Sequence, residues 1–414
     1  MNKQYIKVVI SSCVSRFGDS IDGIAYGWMV YLMTGSPTVL ATLFAVNGIP
    51  SFLFNFFVGP IVNRLNKKKI LILSSVSRAC IVMFTVTLYS FNLLQVWHLY
   101  ALTFLTSAFE AFSGPAATAF TTMILDEEEY DKTIGLSRGI ITVSEFIGIA
   151  TAGVILGIIG VKFAMIINAA SFFISAFCIS LVKYKERIST KAGPINYKED
   201  FMQGLKYLFS NSSIAFVLFF GTSINFFLVP LSSQAPAYVK DVLCRDANYV
   251  SIMFGSIFFG LFIGSTFTSK LRQILNVKAM ALILGSGTFL AYIGYSVAPK
   301  VTAVIPQIIL LVVCGLMFGI PNTMMSVKTT TYFLKNCDKE RLTTCSGVGN
   351  AFSLCAAPLG GAVSGALLVK VSIPAVFTIF GFALLLVTIL QLFIKLKNTS
   401  EEVTTTEAIP ENSF

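Results

Sequence analysis

The sequence predicts an all-α membrane protein of twelve transmembrane helices, arranged as two six-helix halves. Three observations predict this fold class: the composition, the number of long apolar stretches, and an internal sequence repeat. Of the 414 residues, 55% are hydrophobic and 12% are charged, with a mean hydropathy of +0.79. Soluble domains carry about 25% charged residues. The composition therefore excludes a soluble enzyme and a nucleic-acid-binding protein.

Twelve stretches of the chain are long and apolar enough to cross the hydrocarbon core, which takes about 20 residues of helix. Short polar or Pro/Gly-containing breaks separate them, for example at residues 34–38 and 63–69. The strict alternation over about 10 residues that is typical of membrane strands is missing from the pattern. The stretches are centred near residues 20, 49, 80, 110, 147, 172, 226, 259, 288, 316, 355 and 384.

Basic residues in the loops predict the orientation, because cytoplasmic loops carry an excess of Lys and Arg. With the N-terminus inside, the predicted cytoplasmic segments hold 23 of the 30 basic residues and the outer loops hold 5. The remaining two, Arg16 and Arg78, lie inside predicted spans. The net charge of +10 thus reflects topology and needs no anionic partner. Both termini are predicted to be cytoplasmic.

A long polar stretch after the sixth span predicts the domain organisation. It divides a first half, residues 1–183, from a second half, residues 213–397, with a linker at 184–212. Within the linker, apolar side chains of residues 201–209 share one helical stripe, which is typical of an amphipathic helix on a membrane surface. The polar tail at 398–414 is predicted to be disordered.

The two halves also match each other when the chain is shifted by about 206 residues. Residues 112–115 then fall on 318–321, Gly59 falls on Gly264, and Asp19 falls on Asn225. Each match alone is weak, since Gly and Pro are common in membrane helices. Together they indicate parallel six-helix repeats, the arrangement in which secondary transporters bind substrate at the midplane.

Six ionisable residues lie within the predicted spans, where a charge costs at least about 2.5 to 3.5 kcal/mol. Such residues should face the bundle interior and pair, but four acids against two arginines leave about two carboxylates without a partner. An unpartnered carboxyl group can take a proton from one side and release it on the other, or attract a cationic substrate. Interhelical salt bridges are the structural alternative. The predicted proton and substrate site consists of Asp19, Asp22, Glu110, Glu145 and Asn225, with Arg16 and Arg78 as charge partners.

Motifs for nucleotide, metal or redox chemistry are missing from the sequence. It contains no G-x-x-x-x-G-K-[ST] phosphate loop, no H-E-x-x-H and no C-x-x-C pair among its eight cysteines. We therefore expect no catalytic residues, no cofactor and no metal site. Energy for transport would come from an ion or substrate gradient.

One loop resembles a known family motif. Residues 59–68, Gly-Pro-Ile-Val-Asn-Arg-Leu-Asn-Lys-Lys, are similar to the G-x-x-x-D-R-x-G-R-R loop of the major facilitator superfamily. In that family the loop helps to hold a cytoplasmic gate, so the resemblance implies a gate role here. Asn63 replaces the acidic residue of the motif, so the charge pair of the motif cannot form. The implied gate residues are Gly59, Asn63, Arg64, Lys67 and Lys68.

The first predicted span resembles one branch of this superfamily. Arg16-Phe-Gly-Asp19, followed by Trp28, Tyr31 and the break at residues 34–37, is similar to the first span of the macrolide-efflux-like and siderophore-exporter-like drug:proton antiporters. The resemblance implies alternating access around a central cavity and export of amphipathic compounds in exchange for protons. The proline of the drug-antiporter signature is missing from span five.

The expected protein is therefore a monomeric exporter in a bacterial plasma membrane. Its expected partners are a small-molecule substrate, protons and the lipid bilayer, with no nucleic acid. A lysolipid or lipid flippase, or a solute importer, would use the same fold. A non-transporting membrane scaffold or sensor is the alternative from another class, although a scaffold has little use for four midplane acids.

Overall fold

The computed structural model describes residues 3–125, 130–183, 206, 212–271, 277–336 and 342–393. These residues are almost entirely helical, and none of them forms a strand. Seven helices in the described part of the chain are long and apolar enough to cross a membrane. The prediction of an all-α membrane protein is confirmed. The helices are α1 (Lys3–Thr34), α2 (Pro37–Arg64), α3 (Lys67–Ser90), α4 (Val96–Ile124), α5 (Tyr130–Ser180), α6 (Ser212–Ala237), α7 (Ala247–Leu271), α8 (Val277–Val297), α9 (Val304–Asn336), α10 (Leu342–Leu368) and α11 (Ile373–Leu392).

Several predicted features lie outside the described residues. These are the amphipathic helix of residues 201–209, apart from the backbone of Lys206, and the tail at 398–414. Of Gly59, Asn63 and Arg64, the structure describes the backbone alone.

The long helix α5 covers the fifth and sixth predicted spans, and Gly160 interrupts it. At Gly160 φ is 78°, in the left-handed region that glycine enters without a steric penalty. A straight helix of 51 residues would be about 77 Å long, more than twice the roughly 30 Å hydrocarbon core. Gly160 therefore divides α5 into two segments, residues 130–159 and 161–180, each long enough to cross the core.

The helix contacts fall into two groups with the same order. In the first group, α1–α5, helix α1 packs on α5, α2 on α4, and α3 on both α4 and α5. In the second group, α6–α11, helix α6 packs on α10, α7 on α9, and α8 on both α9 and α11. The groups meet where α2 packs on α10 and α5 packs on α7. The cavity described below lies between the two groups.

Glycines bring the two groups into backbone contact. A Cβ atom at Gly153 of α5 would lie 2.6 Å from the Cα atom of Asn248 in α7. A Cβ atom at Gly361 of α10 would lie 2.8 Å from the carbonyl oxygen of Ala41 in α2. Small residues permit such close approach of membrane helices. Both contacts therefore depend on glycine.

Candidate functional site

The predicted charged residues of α1, α3 and α4 meet around Arg78. Its Nη2 atom donates a hydrogen bond to Oδ1 of Asp19 over 2.8 Å and lies 3.8 Å from Oε2 of Glu110. The guanidinium group also lies 4.2 Å from the ring centre of Phe172, within reach of a cation–π interaction. The Arg78 side chain is 11% exposed, so the pair with Asp19 is largely removed from solvent. Arg78 thus joins α1 to α3 and α4.

Arg16 adds a second, more exposed positive charge to the same cluster. Its guanidinium group lies 4.0 Å from Asp19, 3.9 Å from Glu110 and 3.7 Å from Glu145. The Arg16 side chain is 49% exposed and that of Glu110 is 40% exposed, so these contacts are screened and weak. Three of the four predicted acids therefore share two arginines.

Asp22 is the acid that the arginines do not pair within 4.0 Å among the described residues. It follows Asp19 by one turn of α1, on the same side of the helix. Its Oδ1 atom is buried and has no hydrogen-bond partner in the described part of the chain. The amide of Asn168 lies beside the carboxylate. Asp22 is thus the least compensated carboxylate of the cluster.

A cavity of about 440 Å³ lies between the two helix groups and contains most of these charges. Among the described residues, its charged lining comes from the first group and consists of Arg16, Asp19, Asp22, Arg78 and Glu110. The lining from the second group is uncharged and consists of Ser232, Ser233, Pro236, Val250, Phe254 and Phe258. One wall can therefore bind charged and polar groups and the opposite wall can bind apolar groups.

Sequence reasoning missed several residues of this cavity. Thr103, Thr106 and Glu110 recur at helical spacing along α4, a pattern that could have identified the two threonines. Asn47 is the one amide in the first half of α2, residues 37–50, which is also a detectable signal. Phe258 carried no such signal, because the chain contains 38 phenylalanines.

Polar contacts join the two helix groups near the C-terminal end of α1, just beyond the cavity. The lining residues of α1 run from Arg16 to Val30, and the hydroxyl of the next residue, Tyr31, donates a hydrogen bond to the Asp241 carboxylate beyond α6. Nearby, the Gly153 amide donates to Oγ of Ser251 over 2.7 Å. These contacts, together with the glycine contacts, join the two groups at this end of the cavity.

Two other predicted site residues lie apart from the cavity lining. Asn225 is exposed, and its amide donates to the Gly221 carbonyl of its own helix over 3.1 Å. Glu145 contacts Arg16 but does not line the cavity. The structure thus brings Asp19, Asp22 and Glu110 together in the cavity.

The predicted gate loop contacts the first group itself. Nζ of Lys68 donates to the carbonyl oxygens of Ser180 and Val182 over 2.7 and 2.8 Å, at the end of α5. Cations at a helix C-terminus stabilise the unpaired carbonyls. Lys67 is buried. In the second group, Lys278 makes the matching contact of 2.6 Å with the Leu392 carbonyl at the end of α11.

Comparison with known proteins gives a family match over the whole chain. The model of the transmembrane secretion effectors, a family of the major facilitator superfamily, matches residues 1–414. Macrolide efflux protein A of Streptococcus pyogenes is 23% identical over 336 residues, which cover 79% of this chain and 80% of that protein.

Solved transporter structures show the same fold. The nucleoside transporter NupG has a TM-score of 0.76 at 12% identity, with 95% of this chain and 100% of that chain covered. A bacterial homologue of the iron transporter ferroportin, in an inward-facing state, has a TM-score of 0.72 at 13% identity, with 94% and 98% covered. At these identities the likeness concerns the fold alone.

Proposed function

Because the chain belongs to the transmembrane secretion effector family of the major facilitator superfamily, we propose that it exports amphipathic small molecules in exchange for protons. The observation that carries the proposal is the cavity between the two groups. In it, three acids and two arginines face an uncharged wall that contains Phe254 and Phe258, called here the aromatic wall. Transport would proceed by alternating access, with the two groups rocking around the cavity.

The composition of the two walls supports an amphipathic substrate. A cationic or polar group of the substrate would approach Asp19, Asp22 and Glu110, while its apolar body would contact Phe254 and Phe258. A volume of about 440 Å³ lies within the roughly 300 to 1,000 Å³ range of small-molecule pockets. Macrolides are reasonable first ligands because macrolide efflux protein A is a relative.

The shared arginines support proton exchange in the same cavity. Glu110 faces both Arg16 and Arg78 at nearly equal distances of 3.9 and 3.8 Å. Protonation of Glu110 would free both arginines to pair more strongly with Asp19. A cationic substrate and a proton would thus compete for the same set of carboxylates. Each elementary charge that crosses the membrane corresponds to about 2.3 kcal/mol per 100 mV.

We place the chain in a bacterial plasma membrane as a monomer, with twelve transmembrane helices and both termini cytoplasmic. In this assignment Gly160 separates the fifth and sixth spans, and residues 1–183 and 213–397 form the two halves. The recurring order of helix contacts supports this division. The contacts near Tyr31 would then lie at the outer side, so the structure would correspond to an inward-facing state.

Transport by purified protein in proteoliposomes tests this proposal. Inside-acid vesicles should accumulate a fluorescent or radiolabelled macrolide through inverted molecules, and vesicles without a pH gradient should not. A siderophore and a lysolipid are tested in parallel, since a flippase would move the lysolipid without a pH gradient. Gradient-independent movement of every ligand would reject proton coupling.

A further inference from the structure

A second, smaller cavity lies inside the first helix group, behind the charged cluster. Its volume is about 90 Å³, and it is lined by residues of α1 to α5. A single water needs roughly 10 to 15 Å³ of such space, so the cavity has room for an ion with several waters. The two cavities are neighbours, because they share five lining residues: Asp22, Tyr26, Asn47, Thr103 and Thr106.

The polar lining of the small cavity consists of oxygen-bearing side chains. Its described lining contains no Lys or Arg, although Arg16 and Arg78 line the large cavity. Hard cations prefer carboxylate, carbonyl and hydroxyl oxygens as ligands. The six polar residues are Asp22, Tyr26, Asn47, Thr85, Thr103 and Thr106.

Hydrogen bonds made elsewhere leave oxygen lone pairs for the cavity. The amide nitrogen of Asn47 donates to Oγ of Ser107 over 2.7 Å, which leaves the amide oxygen as its remaining acceptor. Thr85 donates its hydroxyl proton to its own helix backbone over 2.9 Å. The hydroxyls of Tyr26 and Thr103 bond each other at 2.8 Å. The oxygen atoms of these side chains therefore have lone pairs with which to coordinate a cation.

Asp22 supplies the negative charge that such a ligand requires. Its Oδ1 atom is buried and lacks a hydrogen-bond partner among the described residues, which is costly for a charged oxygen unless a ligand compensates it. Asp19 and Arg78 already neutralise each other at 2.8 Å. Asp22 is the one charged residue in the described lining of the small cavity, so a monovalent cation balances this lining, whereas a divalent cation would leave a surplus positive charge.

We propose that this cavity binds one monovalent alkali cation, with Asp22 as its charged ligand. Asn47, Thr103 and neighbouring oxygens complete the coordination together with water. The inference goes beyond the proposed function, because ion binding requires no transport. A cation at Asp22 competes with a proton for the same carboxylate. The occupancy of the site therefore determines whether Asp22 can carry a proton during transport.

The test measures ion binding to the detergent-purified full-length protein. Thermal unfolding is followed while Na⁺ or K⁺ replaces N-methyl-D-glucamine at constant ionic strength. A ligand that binds only the folded state raises the unfolding temperature with its concentration. We expect a saturable rise with Na⁺ or K⁺, lost in Asp22→Asn. Asn47→Ala and Thr103→Val should each weaken the apparent affinity about tenfold, the effect of roughly 1.4 kcal/mol.

Glu145→Gln is the matched control, because it removes a carboxylate of the charged cluster that does not line the small cavity. It should keep the cation effect. If Asp22→Asn does not fold, Thr103→Val carries the test. Equal unfolding temperatures in Na⁺, K⁺ and N-methyl-D-glucamine overturn the site even if proton-coupled export is intact. Conversely, a cation effect without any transport rejects the proposed function and retains the site.

Discussion

Arg78 of α3 donates a hydrogen bond of 2.8 Å to Asp19 of α1. Because both side chains are largely buried, each removes from the other the cost of an isolated charge in a low-dielectric bundle. The pair therefore connects two helices and leaves the charge of Asp22 uncompensated. The pair thus stabilises the fold and also determines which carboxylates of the cluster are left for the proposed exchange.

Removing one partner of this pair should destabilise the protein. Arg78→Gln leaves Asp19 buried without its closest cation, which typically costs about 3 kcal/mol. We expect a lower thermal unfolding temperature in detergent. In the double variant Arg78→Gln with Asp19→Asn, both groups are neutral, so most of the stability should return. If the double variant is no more stable than Arg78→Gln, the pair is not the source of the loss.

The Tyr31–Asp241 hydrogen bond should hold the two groups together at one end of the cavity. Tyr31→Phe removes a bond to a charged group, worth about 1.5 kcal/mol, and should open this end about tenfold more often. The measurement is maleimide labelling of a cysteine placed at the cavity-lining Ser232. Tyr249→Phe is the control, because that buried hydroxyl has no hydrogen-bond partner in the described residues. Equal labelling rates in both variants would contradict the prediction.

Gly153 and Gly157, one helical turn apart in α5, should differ sharply in their tolerance of substitution by alanine. A Cβ atom at Gly153 would lie 2.6 Å from Asn248 Cα, whereas at Gly157 the nearest atom is 3.9 Å away. Gly153→Ala should disfavour this packing by about 1 to 3 kcal/mol and reduce transport. Gly157→Ala should be neutral or slightly stabilising, because alanine favours helices. Transport rates and thermal unfolding check both variants, and equal tolerance would exclude close packing at Gly153.

The aromatic wall should determine substrate affinity. Phe258→Ala removes apolar surface from the cavity lining and should raise KM for an amphipathic substrate about tenfold, equivalent to roughly 1.4 kcal/mol. Its neighbour Phe259 is 48% exposed and does not line the cavity, so Phe259→Ala is the matched control. Transport kinetics over a substrate series distinguish the two. An unchanged KM in Phe258→Ala would place the substrate elsewhere.

The orientation can be tested with a natural cysteine. Cys244 is exposed and follows α6 at the end of the bundle that contains Asp241. If the N-terminus is cytoplasmic, a membrane-impermeant maleimide should label Cys244 in intact cells, and Cys244→Ser should abolish that signal. Labelling only after permeabilisation would reverse the assigned topology.

Much of the architecture was predictable because it depends on patterns along the chain. Membrane insertion is costly for charges, so Asp19 and Arg78 stood out in apolar helices, and the structure places them together. The contact between Tyr31 and Asp241 could not be predicted, since it joins segments that are distant in sequence. Phe258 could not be distinguished from other apolar residues, because lipid-facing and cavity-facing phenylalanines have the same sequence environment. Lys68 matches a gate motif and contacts the end of α5, and its gate role stays a prediction.

Proton release on substrate binding tests the central claim most directly. When a macrolide or another transported ligand is added to unbuffered, detergent-purified protein, a pH-sensitive dye should report release of protons from the carboxylate cluster. The signal should be lost in Asp19→Asn and Asp22→Asn, while ligand binding to the aromatic wall is weakened but measurable. Full substrate transport with unchanged proton release in both variants would contradict the assignment of these carboxylates to proton exchange.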